Sequence, residues 1–230
     1  MDAWGGQVTG TKIILIQVNG LILPKILNMS DWDDITGIIL AGGKSSRMGR
    51  DKGLCLLGGK PMISYAVRVL EPFSRSLVVG ANEDAYEQLG YPVIRDLFPG
   101  IGPIGGIYSC LSACRTKGAF VLSCDMPLLG GDLIAHILAH REGVQAVVPC
   151  FRGRPEPLCA YYRQDASRVF LQSIENGNYK LQDVIGKLKT RHLDIDPALP
   201  FYREDLFTNL NSEVDLAMAE LRLREERSDG

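Results

Sequence analysis

The chain lacks a long uninterrupted hydrophobic run. Its most apolar stretch, Ile13–Leu27, is broken by polar residues and by Pro24, and it is shorter than the roughly 20 apolar residues that a membrane-spanning helix needs. The residues before it include Asp2 and only one lysine, and no small-residue cleavage motif follows, so a secretory signal peptide is not predicted. We therefore expect a cytoplasmic protein that does not span a membrane.

A dense stripe of basic residues is also absent. The chain carries 25 Lys and Arg against 27 Asp and Glu, a formal net charge of -2, which argues against a protein that binds duplex nucleic acid. Its six cysteines contain no CxxC pair and have no histidine at zinc-site spacing, so we interpret them as reduced core thiols. Any polyanionic ligand must then be bound by local groups.

The remaining composition is that of an ordinary globular protein. Hydrophobic residues make up 46% of the 230 positions and charged residues 23%, and a chain of this length can form one large α/β domain. From Ile35 onward, short aliphatic or β-branched runs alternate with helical patterns of about 10 to 15 residues, which predicts βαβ units on a parallel sheet. The predicted strands are Ile35–Leu40, Ser76–Ala81, Tyr91–Arg95, Ala119–Ser123, Gln145–Pro149, Leu158–Tyr162 and His192–Asp196.

Local signals predict two helix starts and the limits of the domain. Pro61 suits the first turn of a helix. Ser212 and Asp215 form a variant of the capping box, which predicts the start of the last helix. The predicted divisions of the chain are an extension of uncertain role at 1–33, a domain at 34–220 and a charged, fraying tail at 221–230.

The most informative segment begins where the first predicted strand ends. It reads LAGGKSSRMGRDK from Leu40 to Lys52. Ligands of open α/β sheets bind beyond the carboxyl ends of the strands, and small residues such as Gly42 and Gly43 let backbone N–H groups approach phosphate oxygens there. Arg47 and Lys52 add the fixed positive charge that phosphoryl chemistry needs. The segment predicts a triphosphate site, whereas the glycines alone would fit an exposed turn equally well.

Two familiar phosphate motifs do not fit this segment. A Walker A loop ending in Gly43, Lys44 and Ser45 would need a glycine at position 38, which is Ile38. No G-x-G-x-x-G pattern can be drawn through Gly42 and Gly43 either. A dinucleotide-binding fold is therefore disfavoured.

A second segment places a carboxylate at the end of another predicted strand. The apolar run Phe120–Ser123 leads directly to Cys124 and Asp125, and a proline stands at position 127. Mg²⁺ prefers carboxylate and phosphate oxygens and often takes few protein ligands. We therefore predict that Asp125 holds a metal ion facing a bound triphosphate, although an aspartate near a proline is more often a turn former when taken alone.

A glycine-rich loop follows the predicted strand Tyr91–Arg95. Within it, Pro103 can occupy the first turn of the next helix. Free N–H groups and the positive end of the helix dipole favour an anionic group at such a turn. A phosphate group is expected to dock there.

Together, these segments resemble the molybdenum cofactor guanylyltransferases. The opening motif of that family reads L-A-G-G-x-S-x-R-M-G-x-D-K, and the residues from Leu40 to Lys52 match it throughout. The C-D-M-P string at Asp125 resembles the family's metal site, and the loop at Pro103 resembles its G-P-L-G-G loop. The resemblance implies a Rossmann-like three-layer α/β sandwich with a mostly parallel sheet, of the nucleotide-diphospho-sugar transferase type.

The resemblance also implies an activity and the residues that carry it. The reaction would transfer GMP from GTP to the phosphate of molybdopterin, release pyrophosphate and use Mg²⁺ as cofactor. Lys52, Asp125 and Arg47 would carry catalysis, with Asp125 as the metal ligand. The implied nucleotide-binding residues are Leu40, Ala41, Gly42, Gly43, Lys52, Asn82, Asp96, Gly102, Pro103, Gly105 and Asp125. Further partners would be molybdoenzyme chaperones or molybdenum-insertion proteins, with no nucleic acid and no membrane.

Two later segments resemble the family's second-substrate region. Arg154 could meet the pterin phosphate and Glu156 could accept hydrogen bonds from ring N–H groups, but an exposed turn of mixed charge is an equally good interpretation. Asn209 and Asn211 match the family's N-x-N-T-P segment, in which Ser-Glu here replaces Thr-Pro. Their amides can donate and accept along a pterin ring, or they can cap a turn before the last helix.

Two other functions remain open on the sequence. The first is a relative that uses CTP, or a sugar-phosphate nucleotidyltransferase of the same fold. Gly43 argues mildly against the CTP-using relatives, which often carry L-A-A-G. The second is a non-catalytic nucleotide-binding protein that delivers the cofactor, which the presence of Lys52 and Asp125 disfavours.

The N-terminal extension lies outside the resemblance, and Met29 could serve as an alternative start. We expect the extension to be dispensable for catalysis, because it precedes the first convincing βα unit. A chain without residues 1–28 should keep its nucleotidyl transfer rate, and loss of transfer would contradict this prediction.

Overall fold

The computed structural model describes residues 11–18, 21–28, 32–42 and 51–228. Its strands are β1 (Thr11–Val18), β2 (Leu21–Asn28), β3 (Ile35–Leu40), β4 (Leu56–Leu57), β5 (Lys60–Pro61), β6 (Ser76–Gly80), β7 (Val93–Ile94), β8 (Gly118–Ser123), β9 (Ala146–Phe151), β10 (Arg154–Pro155), β11 (Cys159–Arg163) and β12 (Thr190–Ile195). Its α-helices are α1 (Ile63–Leu70), α2 (Pro103–Ala113), α3 (Gly131–Ala139), α4 (Ser167–Glu175), α5 (Leu181–Lys187) and α6 (Glu213–Ser228).

The central sheet has the strand order β10-β9-β11-β8-β3-β6-β7, with β12 paired to β9. Strands β8, β3, β6 and β7 are mutually parallel, and β12 runs parallel to β9. Strand β11 is antiparallel to both β8 and β9. The predicted, mostly parallel sheet is therefore confirmed, and each predicted strand corresponds to an observed one.

Helices cover both faces of this sheet. Strand β3 shows the alternation of a strand buried on both sides, since Ile35 and Ile39 enter one apolar cluster and Ile38 enters the other. Helices α1 and α3 contribute to the first cluster, and helices α2, α4 and α5 contribute to the second. These layers confirm the three-layer sandwich.

One local prediction was wrong. Pro61 does not start a helix but pairs with Leu56 in the short β4–β5 hairpin, and α1 begins at Ile63. The hairpin continues through a bond from the Met62 amide to the Cys55 carbonyl, at 2.9 Å, so the helix begins two residues after the proline. The edge strand predicted at Tyr91–Arg95 is present in a shorter form as β7, which pairs with β6 and with no other strand of the described residues.

The capping box at the start of α6 is confirmed. The Asp215 amide donates to Ser212 Oγ at 3.2 Å, and the Ser212 amide donates to Asp215 Oδ2 at 2.9 Å. Helix α6 runs to Ser228, so the division predicted at residue 221 falls inside this helix. The predicted extension contains the antiparallel β1–β2 hairpin, whereas Met29 lies outside the described residues.

All six cysteines are free thiols. Cys110, Cys124 and Cys159 are buried, and burial raises the pKa of each of these thiols. Among the helices that the structure describes, none combines the length and the apolar character needed to cross a bilayer.

Gly118 in β8 gives a test of this packing. A Cβ atom added there would lie 2.5 Å from the hydroxyl oxygen of Tyr161 and 2.6 Å from a ring carbon, and Tyr161 is buried. Gly118→Ala should cost about 1–3 kcal/mol through overpacking. In helix α5, Gly186→Ala adds a Cβ atom that meets no atom of the described residues within 4 Å beyond the backbone of its own helix. This change should instead gain roughly 0.4–1 kcal/mol. Urea unfolding measures the free energy of unfolding of both variants. Equal values for the two would contradict the packing described.

Candidate active site

A cavity of about 410 Å³ lies at the carboxyl ends of β3, β6 and β8. Because these strands are parallel neighbours, the residues that follow them meet at one edge of the sheet. The first motif contributes Leu40, Ala41 and Gly42 to the cavity wall. Gly42 has a φ of +117°, a backbone conformation that side-chain-bearing residues rarely adopt. Gly43 and Arg47 lie outside the described residues.

Lys52 contacts Asp125, which lines this cavity. Lys52 Nζ lies 3.5 Å from Asp125 Oδ2, and both side chains are largely shielded from solvent, at 21% and 17% exposure. Ser123 Oγ donates to the other carboxylate oxygen of Asp125 at 2.6 Å. The Leu210 amide donates to the Asp125 carbonyl at 2.9 Å. Two motifs that are 73 residues apart therefore form one charged pair.

The backbone on which Lys52 stands is fixed by a buried contact that the sequence did not reveal. Asp51 precedes the short 3-10 helix Lys52–Leu54 and accepts a bond from the Gly53 amide at 3.0 Å. The Tyr86 hydroxyl donates to the same Asp51 oxygen. Tyr86 is fully buried, and burial, followed by its bond to Asp51, raises the pKa of the phenol. No sequence signal linked Tyr86 to Asp51, because 35 residues separate them.

Asn82 and Asp96 form a second polar pair in the cavity wall. The Asn82 amide nitrogen donates to Asp96 Oδ2 at 3.1 Å, and the Asp96 backbone amide donates to Asn82 Oδ1 at 2.9 Å. Arg95 donates to the Asn82 carbonyl at 2.9 Å. These reciprocal bonds tie together the turns that follow β6 and β7. Glu83, which was not predicted, also lines the cavity.

The start of helix α2 faces the same cavity. Gly102 is its N-cap residue and offers no side-chain acceptor, and Pro103 is the first helical residue, so the predicted helix start is confirmed. Both residues line the cavity. Gly105 does not line it, but a Cβ there would lie 2.6 Å from the Phe98 carbonyl oxygen. The small residue lets the loop close onto a helix terminus whose N–H groups can bind an anion.

The donor set suits a metal ion that arrives with phosphate. No group of three or more His, Cys, Asp or Glu side chains within the described ranges could hold a metal on its own. Asp125 offers its carboxylate at the cavity, whose wall also carries the carboxylates of Glu83 and Asp96. Mg²⁺ is usually bound by one or two carboxylates together with substrate phosphates and water, so Asp125 fits such an ion.

The four residues predicted near the second substrate separate into two places. Arg154 and Glu156 line another cavity, of about 470 Å³, together with Arg152, Glu204, Phe207 and Thr208. Burial raises the pKa of Glu156, and the nearby Arg154 acts in the opposite direction. Asn211 instead accepts a hydrogen bond from the Lys52 ammonium group. The backbone carbonyl of Asn209 accepts a bond from the side-chain amide nitrogen of Asn211 at 3.4 Å.

Comparisons with known proteins converge on one family. The MobA-like NTP transferase domain matches residues 37–192. A probable molybdenum cofactor guanylyltransferase of Carboxydothermus hydrogenoformans is 34% identical over 184 residues, which cover 79% of this chain and 93% of that protein. A molybdenum cofactor guanylyltransferase of Yersinia pestis is 32% identical over 195 residues, which cover 83% and 97%.

Solved structures agree with these relatives. The molybdopterin-guanine dinucleotide biosynthesis protein A of Archaeoglobus fulgidus superposes with a TM-score of 0.71 and 27% identity, covering 83% of this chain and 99% of that one. A CMP:2-keto-3-deoxy-manno-octonic acid synthetase complexed with CTP has a TM-score of 0.64 at 13% identity, covering 84% and 100%. At that identity the second likeness supports the fold alone.

Proposed function

The chain belongs to the MobA-like NTP transferase family, and from that premise we propose that it transfers GMP from GTP to the terminal phosphate of molybdopterin and releases pyrophosphate. The observation that carries this proposal is the contact of Lys52 with Asp125, which lines the same cavity as Gly42. Relatives at 32–34% identity that are named for this reaction support the choice of substrates.

The proposed step is attack by a phosphate oxygen of molybdopterin on the α-phosphorus of GTP. The nucleophile is already an anion at neutral pH, so no general base is needed. The protein aligns the two phosphates and neutralises charge in the transition state. Lys52 would face the triphosphate, and the first turn of α2 at Pro103 would bind a phosphate oxygen. We assign Arg47 a further phosphate contact.

We propose that Asp125 holds Mg²⁺ when GTP is bound. The ion would supply positive charge to the phosphate oxygens, which is the chemistry that a carboxylate at this cavity can support. Ser123 orients the carboxylate through its 2.6 Å bond. Asn82 and Asp96 would contact the nucleoside, since their reciprocal pair leaves unused lone pairs and one amide hydrogen.

We propose that the cavity at Arg154 accepts the pterin end of molybdopterin. Two arginines and two glutamates line it together with two phenylalanines, a combination that suits a flat polar ring carrying a phosphate. Arg152 lies over the ring of Phe151, with 5.2 Å from its guanidinium carbon to the ring centroid. Glu156 would accept ring N–H bonds, and Asn209 lies on the segment that leads from this cavity to Lys52.

The setting of the reaction follows from the same proposal. We place it in the cytoplasm, where GTP and molybdopterin would be its small-molecule partners. Molybdoenzyme chaperones or molybdenum-insertion proteins would receive the product.

The deciding experiment offers each of the four ribonucleoside triphosphates with Mg²⁺ and molybdopterin and identifies the joined product. GTP should be joined. Lys52→Ala and Asp125→Ala should each lower the rate by at least about a hundredfold, because removal of one preorganised electrostatic group costs about 2.7–4 kcal/mol in the transition state. Lys60→Ala and Asp33→Ala, which change exposed residues of the same types, are the controls.

Other results would select another function. Joining of CTP would identify a cytidylyltransferase. Absence of pyrophosphate release with all four nucleotides would favour a binding protein. Near wild-type rates in either active-site variant would contradict the proposed site.

Arg154→Ala tests the second cavity separately. Loss of a charge-assisted hydrogen bond, about 1.5–3 kcal/mol, should raise the KM for molybdopterin by at least about tenfold and leave the KM for GTP unchanged. Arg168→Ala, an exposed arginine on α4, should change neither constant. A rise confined to the KM for GTP would assign Arg154 to the nucleotide instead.

A further inference from the structure

We infer that Asp215, in the first turn of α6, is a positioning residue for the catalytic lysine, and that Asn211 is the contact through which it acts. This inference rests on the proposed function. It concerns a helix that the sequence assigned partly to a tail, and an asparagine that the sequence assigned to the pterin.

The Asp215 carboxylate organises the turn that precedes its own helix. Its Oδ2 atom accepts bonds from the backbone amides of Asn211 and Ser212, each at 2.9 Å. The bond from Asn211, followed by the contribution of Ser212, holds the pKa of Asp215 below its ordinary value. An acceptor that is ionised at neutral pH strengthens these bonds, so the backbone of Asn211 is firmly placed.

This turn contacts both members of the charged pair, Lys52 and Asp125. The Asn211 side chain accepts from the Lys52 ammonium group, and the neighbouring Leu210 amide donates to the Asp125 carbonyl at 2.9 Å. A lysine ammonium is a point charge on a flexible four-carbon stem. An acceptor of fixed position therefore restricts where that charge can lie.

Helix α6 is anchored on the segment that follows the lysine. Ala219 and Leu210 are buried in a small apolar cluster with Leu57 and Met62. The Gly58 amide donates to Glu220 Oε1 at 3.0 Å. The apolar cluster and this hydrogen bond therefore hold α6 against residues 57–62, which follow Lys52 in the chain. This anchoring supports a positioning role for α6.

The test compares two variants at the same helix terminus. Asp215→Ala removes the acceptor for Asn211. Ser212→Ala removes only the helix-capping hydroxyl, whose bond to the Asp215 amide is 3.2 Å, and leaves the Asp215 acceptor in place. Asp215→Asn keeps an acceptor oxygen and should rescue most of the loss. The measured quantities are kcat and KM for GTP, together with the rate at which an amine-reactive ester labels Lys52 in the ligand-free protein.

Asp215→Ala should lower kcat on the order of tenfold to a hundredfold, the effect expected when a reacting group is misplaced by about 1 Å, and Lys52 should label severalfold faster. Ser212→Ala should keep the wild-type kcat and labelling rate. Equal losses in the two alanine variants, or unchanged labelling in Asp215→Ala, would overturn the inference. If the wild-type protein transfers no nucleotide, the proposed function fails on its own, while the labelling rates still decide whether Asp215 positions Lys52.

Discussion

The site depends on one electrostatic constraint, which is that two phosphorylated reactants repel each other. Opposite unit charges 4 Å apart attract by only about 1 kcal/mol in water but by about 4 kcal/mol at the effective dielectric near a protein surface. The net charge of the chain does not offset the repulsion between the phosphates, since the chain is slightly acidic overall. Positive charge must therefore be concentrated locally, and Lys52 places a cation beside the carboxylate of Asp125, which lines the cavity.

The parallel sheet makes this concentration possible. Strands β3, β6 and β8 are neighbours with the same direction, so the turns after them share one edge. This arrangement brings together Gly42, the polar pair at Asn82 and the carboxylate of Asp125, which are far apart in the sequence. The start of α2 adds backbone N–H groups that can bind an anion.

Lys52 is the member of the site that the sheet does not place. Its position is set from two sides. Beneath its backbone, Asp51 accepts bonds from Gly53 and from the buried Tyr86. At its ammonium group, Asn211 provides an acceptor from the segment that leads into α6. Elements distant in sequence thus restrict a side chain that is flexible by itself.

The sequence by itself determined a mostly parallel sheet, the main strands along the chain and the residues at their carboxyl ends. Those features come from local patterns, namely apolar alternation, glycine turns and helix caps such as Ser212. The boundary near Pro61 was missed because a proline that suits a helix start also suits a hairpin edge, and only the pairing with Leu56 chose between them. The sequence motifs placed Asn211 and Arg154 together near the second substrate. A motif records which residues occur but not which neighbour each one contacts. The tertiary structure decided the pairing of Tyr86 with Asp51 and of Asn211 with Lys52, because hydrogen bonds between distant segments depend on how the layers pack.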